Sequence, residues 1–158
     1  MRNHPVILAR WIALLVPGAL IAGAWVFQLA GYPPCEMCHW QRWPHYAAIA
    51  AAGASFLAVS RMGSRVTLVA LAAILIAVSG AIGAFHAGVE YGWWEGITAC
   101  TANLPTGDNF LEAIMAAPVI RCDRAPWSLL GISLAGFNAI ISLGATGVIL
   151  WLLKARRA

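Results

Sequence analysis

Four long apolar runs, separated by polar segments, decide what this chain can fold into. They cover approximately 11–30, 44–60, 66–87 and 127–153. A bilayer core about 30 Å thick takes about 20 apolar helical residues, with 17 to 25 tolerated. The second run lies at the short limit, and the fourth has length to spare. In hydrocarbon every backbone N–H and C=O must find a partner inside the protein, which excludes isolated sheet. The expectation is an all-α membrane protein, a single domain over 1–158 built as a four-transmembrane-helix bundle. Composition agrees: 10% of the residues are charged, whereas a soluble domain carries about 25%.

Charge placement orients the bundle. Arg2 and Arg10 stand at the start, Arg61 and Arg65 between the second and third runs, and Lys154, Arg156 and Arg157 at the end. All six acids, Glu36, Glu90, Glu95, Asp108, Glu112 and Asp123, lie in the other two connections. The positive-inside rule puts both termini in the cytoplasm and the loops at 31–43 and 88–126 outside. The net charge of +4 therefore reflects topology and gives no nucleic-acid surface. A basic start followed by small residues at Ala22–Ala24 also fits a cleaved leader. The run continues through Trp25, Val26 and Phe27, however, so it reads as a first membrane helix.

Small residues at 47–54, 70–73 and 80–84 suit close helix packing in lipid, and tryptophans mark the interfaces, with Trp11 and Trp151 inside and Trp40, Trp43, Trp93, Trp94 and Trp127 outside. In the second outer loop, Asn109 and Glu112 have capping-box spacing. Phe110, Leu111, Ile114 and Met115 then share one helical face. A short amphipathic helix is expected there, packed on the bundle or lying on the outer surface.

Every cysteine falls in an outer loop. Cys35 and Cys38 form a Cys-x-x-Cys pair ahead of the second run, and Cys100 and Cys122 lie in the long loop. A Cys-x-x-Cys pair is compatible with zinc, a redox couple or a structural disulfide. The wide spacing of Cys100 and Cys122 lacks the knuckle of a second zinc half-site, and no metal is expected. Structural disulfides serve small domains with too little core, a need that a lipid-supported bundle lacks. Cys38 near a helix start favours a thiolate. If 36–43 is helical, Arg42 faces Cys38 at i, i+4, although Pro44 makes that geometry uncertain and snorkelling to headgroups is an equal reading of the arginine. His86, at the outer end of the third run, is a functional candidate by its depth, with an interfacial anchor as the plainer reading. His45 is either anchor or site, and neither His39 nor Glu36 can be assigned a role.

The segment Pro34-Cys35-Glu36-Met37-Cys38-His39-Trp40-Gln41-Arg42-Trp43-Pro44 resembles the first outer loop of the disulfide bond formation protein B (DsbB) family. Phe85-His86-Ala87-Gly88-Val89-Glu90, with Trp94 and Cys100 beyond it, resembles the exit from that family's third helix. Pro126-Trp127-Ser128-Leu129-Leu130-Gly131 resembles the start of its fourth. The resemblance extends over essentially the whole chain. It implies a quinone-dependent protein thiol:disulfide oxidoreductase of a bacterial inner membrane, monomeric, with its active loops facing the periplasm. Such a protein reoxidises a periplasmic thioredoxin-fold (DsbA-like) thiol oxidase and passes the electrons to membrane quinone, ubiquinone or menaquinone. By matching position, Cys100 is attacked by the partner's thiolate, Cys122 is released to exchange with Cys35, and Cys38 is left to donate to quinone beside Arg42. His86 corresponds to a histidine near the quinone. Two other readings remain. One is a non-enzymatic four-helix scaffold with structural disulfides. The other is a vitamin K epoxide reductase-like quinone reductase, whose Cys-x-x-Cys pair sits instead at the last helix.

Overall fold

The computed structural model describes residues 4–58, 62–98 and 120–156. Four long helices account for most of them: α1 (His4–Leu29), α2 (Glu36–Leu57), α3 (Met62–Glu90) and α4 (Leu134–Ala155). Each packs on the next, and α4 returns to lie against α1. Three of them, α1, α3 and α4, are long and apolar enough to cross a membrane. The first half of α2 is polar because it carries the Cys-x-x-Cys motif and its neighbours. The amphipathic helix expected in the long outer loop, and Cys100 with it, lie outside the described residues.

One half of the bundle is an alanine-rich core in which Ala9, Ala13, Ala48, Ala52, Ala72 and Ala73 are fully buried around Val69, Ile76 and Ile149. Small side chains let the helix axes come close, so dispersion contacts replace the hydrophobic drive that lipid does not supply. At this end Arg10 donates to the Ser55 carbonyl at 3.0 Å, and Arg65 donates to the Ala58 carbonyl at 2.7 Å. Both satisfy acceptors left over where α2 terminates.

The helices α1 and α3 start ahead of their apolar runs, at His4 and Met62, and the starts of α2 and α4 differ from theirs for local reasons. α2 starts at Glu36, well before the apolar run at 44, because Cys35 caps it. The helix passes through Pro44, whose missing N–H and ring deny the Trp40 carbonyl its usual partner. α4 starts at Leu134 rather than at Trp127. Between them, β1 (Ser128–Leu129) pairs antiparallel with β2 (Ile132–Ser133), a small departure from an all-helical chain. The intervening turn has positive φ at both Leu130 and Gly131, the backbone of a tight two-residue hairpin. Tyr91 at the end of α3 ties this hairpin down, donating to the Gly131 carbonyl at 3.0 Å and accepting from the Ser133 N–H at 3.1 Å. Ser133 then caps α4 by accepting from Gly136 N.

At about 1.5 Å per residue, the 29 residues of α3 span about 43 Å. That exceeds the hydrocarbon thickness of about 30 Å, and its last turns lie level with the start of α2, where His86 meets Cys35. His86 and Glu90 are on those turns.

Candidate functional site

Pro33 and Pro34 lie between α1 and α2, and Cys35, with extended backbone, follows as the N-cap of α2. Its Sγ accepts the Cys38 backbone N–H at 3.2 Å, the job usually done by a serine or aspartate oxygen. The capping geometry places the two sulfurs 2.8 Å apart. That is closer than unbonded thiols rest and longer than the disulfide bond of about 2.05 Å. Both cysteines are free thiols, and Cys35 is buried while Cys38 is half-buried. The hydrogen bond with Cys38, followed by burial, pushes the Cys35 thiol above its usual range.

Cys122 is fully buried and packs in one cluster with Cys35, Met37 and Val89. It is disulfide-bonded. The fold thus brings a cysteine from the far loop against the Cys-x-x-Cys pair. Beside it, Arg121 holds Asp123 in a two-pronged ion pair. That contact keeps the Asp123 carboxyl below its usual range.

His86 reaches this cluster from α3. Its Nε2 lies 3.6 Å from Cys35 Sγ and 3.7 Å from Glu90 Oε1, and its Nδ1 lies 2.8 Å from Gln41 Nε2. The ring also hydrogen-bonds the Cys122 main chain. The Glu90 side chain is buried, and its Oε2 has no hydrogen-bond partner among the described residues.

Arg42 reaches toward α1. It donates to Gln28 Oε1 at 2.8 Å and to the Ala24 carbonyl at 3.2 Å, and its guanidinium lies 5.7 Å from the Trp25 ring centroid. The residue is buried, and among the described residues no carboxylate pairs with it. A buried cation without a counter-charge is costly, because desolvation is not repaid by a partner.

Two cavities flank the dithiol. One, of about 380 Å³, lies among α1, α2 and α4 and is lined by Phe27, Cys38, Arg42, His45, Trp127 and Phe137. The other, of about 360 Å³, is lined by Cys35, Cys38, His86, Glu90, Arg121 and Arg124. Cys38 borders both. The first is mainly apolar with a polar edge at Gln41, Arg42 and His45, and the second carries the charged groups Glu90, Arg121 and Arg124.

Several participants went unassigned in the sequence. Asn138 of α4 donates to Gln41 Oε1 at 2.8 Å and to the Ser79 carbonyl at 3.2 Å. Its Oδ1 accepts from Ser142 Oγ and from His45 Nε2, both at 2.9 Å. Ser79 Oγ donates to the Gln41 carbonyl at 2.8 Å. Glu90 belongs to the site as well. The available signal was polar residues inside or beside apolar runs, which mark function or interhelical bonding in membranes. His39 is exposed and stands outside the cluster.

Buried thiols at a helix cap, a disulfide-bonded cysteine packed on them and a flanking cavity among long apolar helices define a multi-pass membrane protein of thiol–disulfide chemistry. The family model described as Disulfide bond formation protein DsbB matches residues 7–152. The chain belongs to that family, and it is a membrane disulfide-bond-formation protein. No curated relative and no solved structure matches it.

Proposed function

We propose that this protein reoxidises a periplasmic thioredoxin-fold thiol oxidase and passes the electrons to a membrane quinone. In this reading α2 is the fourth membrane-spanning helix, both termini are cytoplasmic and the membrane is a bacterial inner membrane. The observation that carries the proposal is the position of Cys38. It shares one cavity wall with Arg42, which has no carboxylate partner among the described residues, and a second with Cys35 and His86.

The residues present fit a quinone. The larger cavity is mainly apolar, it opens among membrane helices, and its cation has spare N–H donors for a carbonyl oxygen. Quinone, when bound, accepts two electrons and two protons. Arg42 would hold it by an oxygen, and Phe27, Trp127 and Phe137 would exclude water. His86 stands on the opposite side of the dithiol, beside Cys35.

The exchange steps belong to the protein alone. The partner's thiolate attacks Cys100 of the outer disulfide, forming a mixed disulfide and releasing the Cys122 thiolate. Cys122, held against Cys35, attacks the oxidised Cys35–Cys38 bond, bonds to Cys35 and leaves Cys38 as the thiolate. Cys38 then faces the apolar cavity. Its position at the first turn of α2 favours the charged sulfur.

Purified protein, a reduced thioredoxin-fold oxidase and ubiquinone should give catalytic loss of thiols with matching loss of quinone absorbance. Cys38→Ser should abolish it, and Cys122→Ser should trap the partner on Cys100. No turnover by the wild type, or full turnover by Cys38→Ser, would overturn the proposal.

A further inference from the structure

Cys35 Sγ, Cys38 Sγ and a ring nitrogen of His86 all lie within 4.8 Å of one another. Two sulfurs and an imidazole nitrogen are donors that a thiophilic metal could bind. Zinc bonds of about 2.3 Å to sulfur and about 2.1 Å to nitrogen, at tetrahedral angles, give an S–N edge of about 3.6 Å. The observed Cys35 Sγ to His86 Nε2 distance is 3.6 Å, whereas the two sulfurs, 2.8 Å apart, would have to separate to an S–S edge of about 3.8 Å. A reduced dithiol so arranged is open to capture by zinc, which would take both thiolates out of exchange. The hydrogen-bond network around His86 bears directly on that hazard.

Two side-chain amides in the network are oriented by main-chain carbonyls, which can only accept. Gln41 Nε2 donates to the Met37 carbonyl at 3.2 Å, and Asn138 Nδ2 donates to the Ser79 carbonyl at 3.2 Å. With both amides set this way, Asn138 Nδ2 meets Gln41 Oε1, a donor meeting an acceptor, at 2.8 Å. Flipping Gln41 would lose the bond to Met37 and set two amide NH₂ groups against each other. The remaining Gln41 N–H therefore points at His86 Nδ1, 2.8 Å away. A ring nitrogen that accepts an N–H carries a lone pair, so the proton of the neutral imidazole sits on Nε2. The contacts of Nε2 agree, since the Cys122 main chain, Cys35 Sγ at 3.6 Å and Glu90 Oε1 at 3.7 Å are all able to accept.

We propose that Gln41, locked by Met37 and Asn138, is a positioning residue that holds His86 in its Nε2–H form, so that the ring offers a hydrogen bond to Cys35 and withholds the lone pair that zinc would need. A metal-bound histidine has the opposite requirement, with its outer N–H given to a carboxylate or carbonyl. Gln41 supplies a donor where such a site needs an acceptor. This inference concerns the reduced dithiol and stands independently of which molecule accepts the electrons.

The test is long-range ¹H–¹⁵N correlation on the reduced, detergent-solubilised full chain with ¹⁵N-labelled histidine. His86 should show a protonated Nε2 and a bare Nδ1. In Gln41→Glu the new carboxylate accepts a hydrogen bond from a proton on Nδ1, and the pattern should reverse. Zinc titration of the reduced proteins should then show tighter binding by Gln41→Glu than by wild type, about 10- to 100-fold, the usual size of such an outer-contact effect. The gain should vanish when His86→Ala is added. A bare Nε2 in the wild type overturns the proposal, and so do equal zinc affinities of wild type and a folded Gln41→Glu. Should Gln41→Glu not fold, the wild-type spectrum decides alone.

Discussion

Asn138 on α4 donates to Gln41 on α2 at 2.8 Å across 97 positions of sequence, and its Oδ1 accepts from His45, one turn further along α2. One amide thus joins two helices at two levels while Ser79 ties in the third. In a core built largely of alanine, this polar seam supplies direction that dispersion contacts lack, setting the rotation of α4 relative to α2 and α3. It also connects the larger cavity, bordered by His45 and Asn138, to the dithiol through Gln41 and His86.

Replacing Asn138 by leucine should strand Gln41 Oε1 and His45 Nε2 in a buried setting. The cost should be about 1–3 kcal/mol, given the penalty for an unsatisfied buried group and the modest value of interhelical bonds in membranes. Denaturation in micelles reads it directly. An Asn138→Leu protein as stable as wild type would show that the seam contributes nothing to stability.

Gly83 of α3 faces α4 and Gln41 of α2. A Cβ there would sit 2.9 Å from Asn138 Nδ2, 3.0 Å from the Ala135 carbonyl and 3.1 Å from Gln41 Oε1. One of the three contacts is backbone, so α4 itself must move. Gly83→Ala should cost about 1–3 kcal/mol as overpacking. Gly144→Ala, with open space around its Cβ, should stay within about 0.5 kcal/mol of wild type. Thermal melts of the two variants make the comparison.

On the proposed function, removing the Arg42 charge should weaken quinone binding and spare exchange. With Arg42→Met, KM for quinone should rise by about tenfold or more, the scale of a lost charge-assisted hydrogen bond. Mixed-disulfide formation without quinone should proceed at the wild-type rate. Steady-state quinone reduction and a quench-gel assay separate the two. Loss of both together would mean that Arg42 serves the fold through Gln28 and Ala24 alone.

The two thiols of the motif should alkylate unequally. Cys35 is buried, and its bond with Cys38 pushes its titration upward. A raised pKa keeps the thiol protonated through neutral pH, and thiolate forms only as the pH climbs past the ordinary value of about 8.5. In the reduced protein a maleimide at pH 7 should label Cys38 first, and labelling of Cys35 should rise only on the alkaline side. Mass spectrometry of the labelled peptides gives the order, and faster labelling of Cys35 at pH 7 would contradict the assignment.

Much of this protein is legible from residues alone. Run length against bilayer thickness sets the long helices, and hydropathy is a local property that tertiary packing does not reverse. The Cys-x-x-Cys pair lies three positions apart in one stretch, so its capping turn is also local. The sequence did not reveal the start of α4, because the hairpin at 128–133 depends on Tyr91, which arrives from α3. Nor did it reveal the direction of Arg42, because spacing places a residue on a helix face but does not choose among its rotamers. Gln28 and the Ala24 carbonyl, both on α1, made that choice.

Hydropathy, charge placement and the spacing of two cysteines by themselves determined that this chain is a membrane helix bundle with a thiol pair opening one helix. Those features act over a turn or over one span, where the solvent, lipid or water, dictates the answer. Only the tertiary structure decided that Cys122, His86 and Gln41 surround that pair, that Cys38 borders two cavities and that Arg42 lacks a described counter-charge. These relationships join residues from different helices and loops. Their energies come from who meets whom in a buried, low-dielectric interior, and no single segment carries that information.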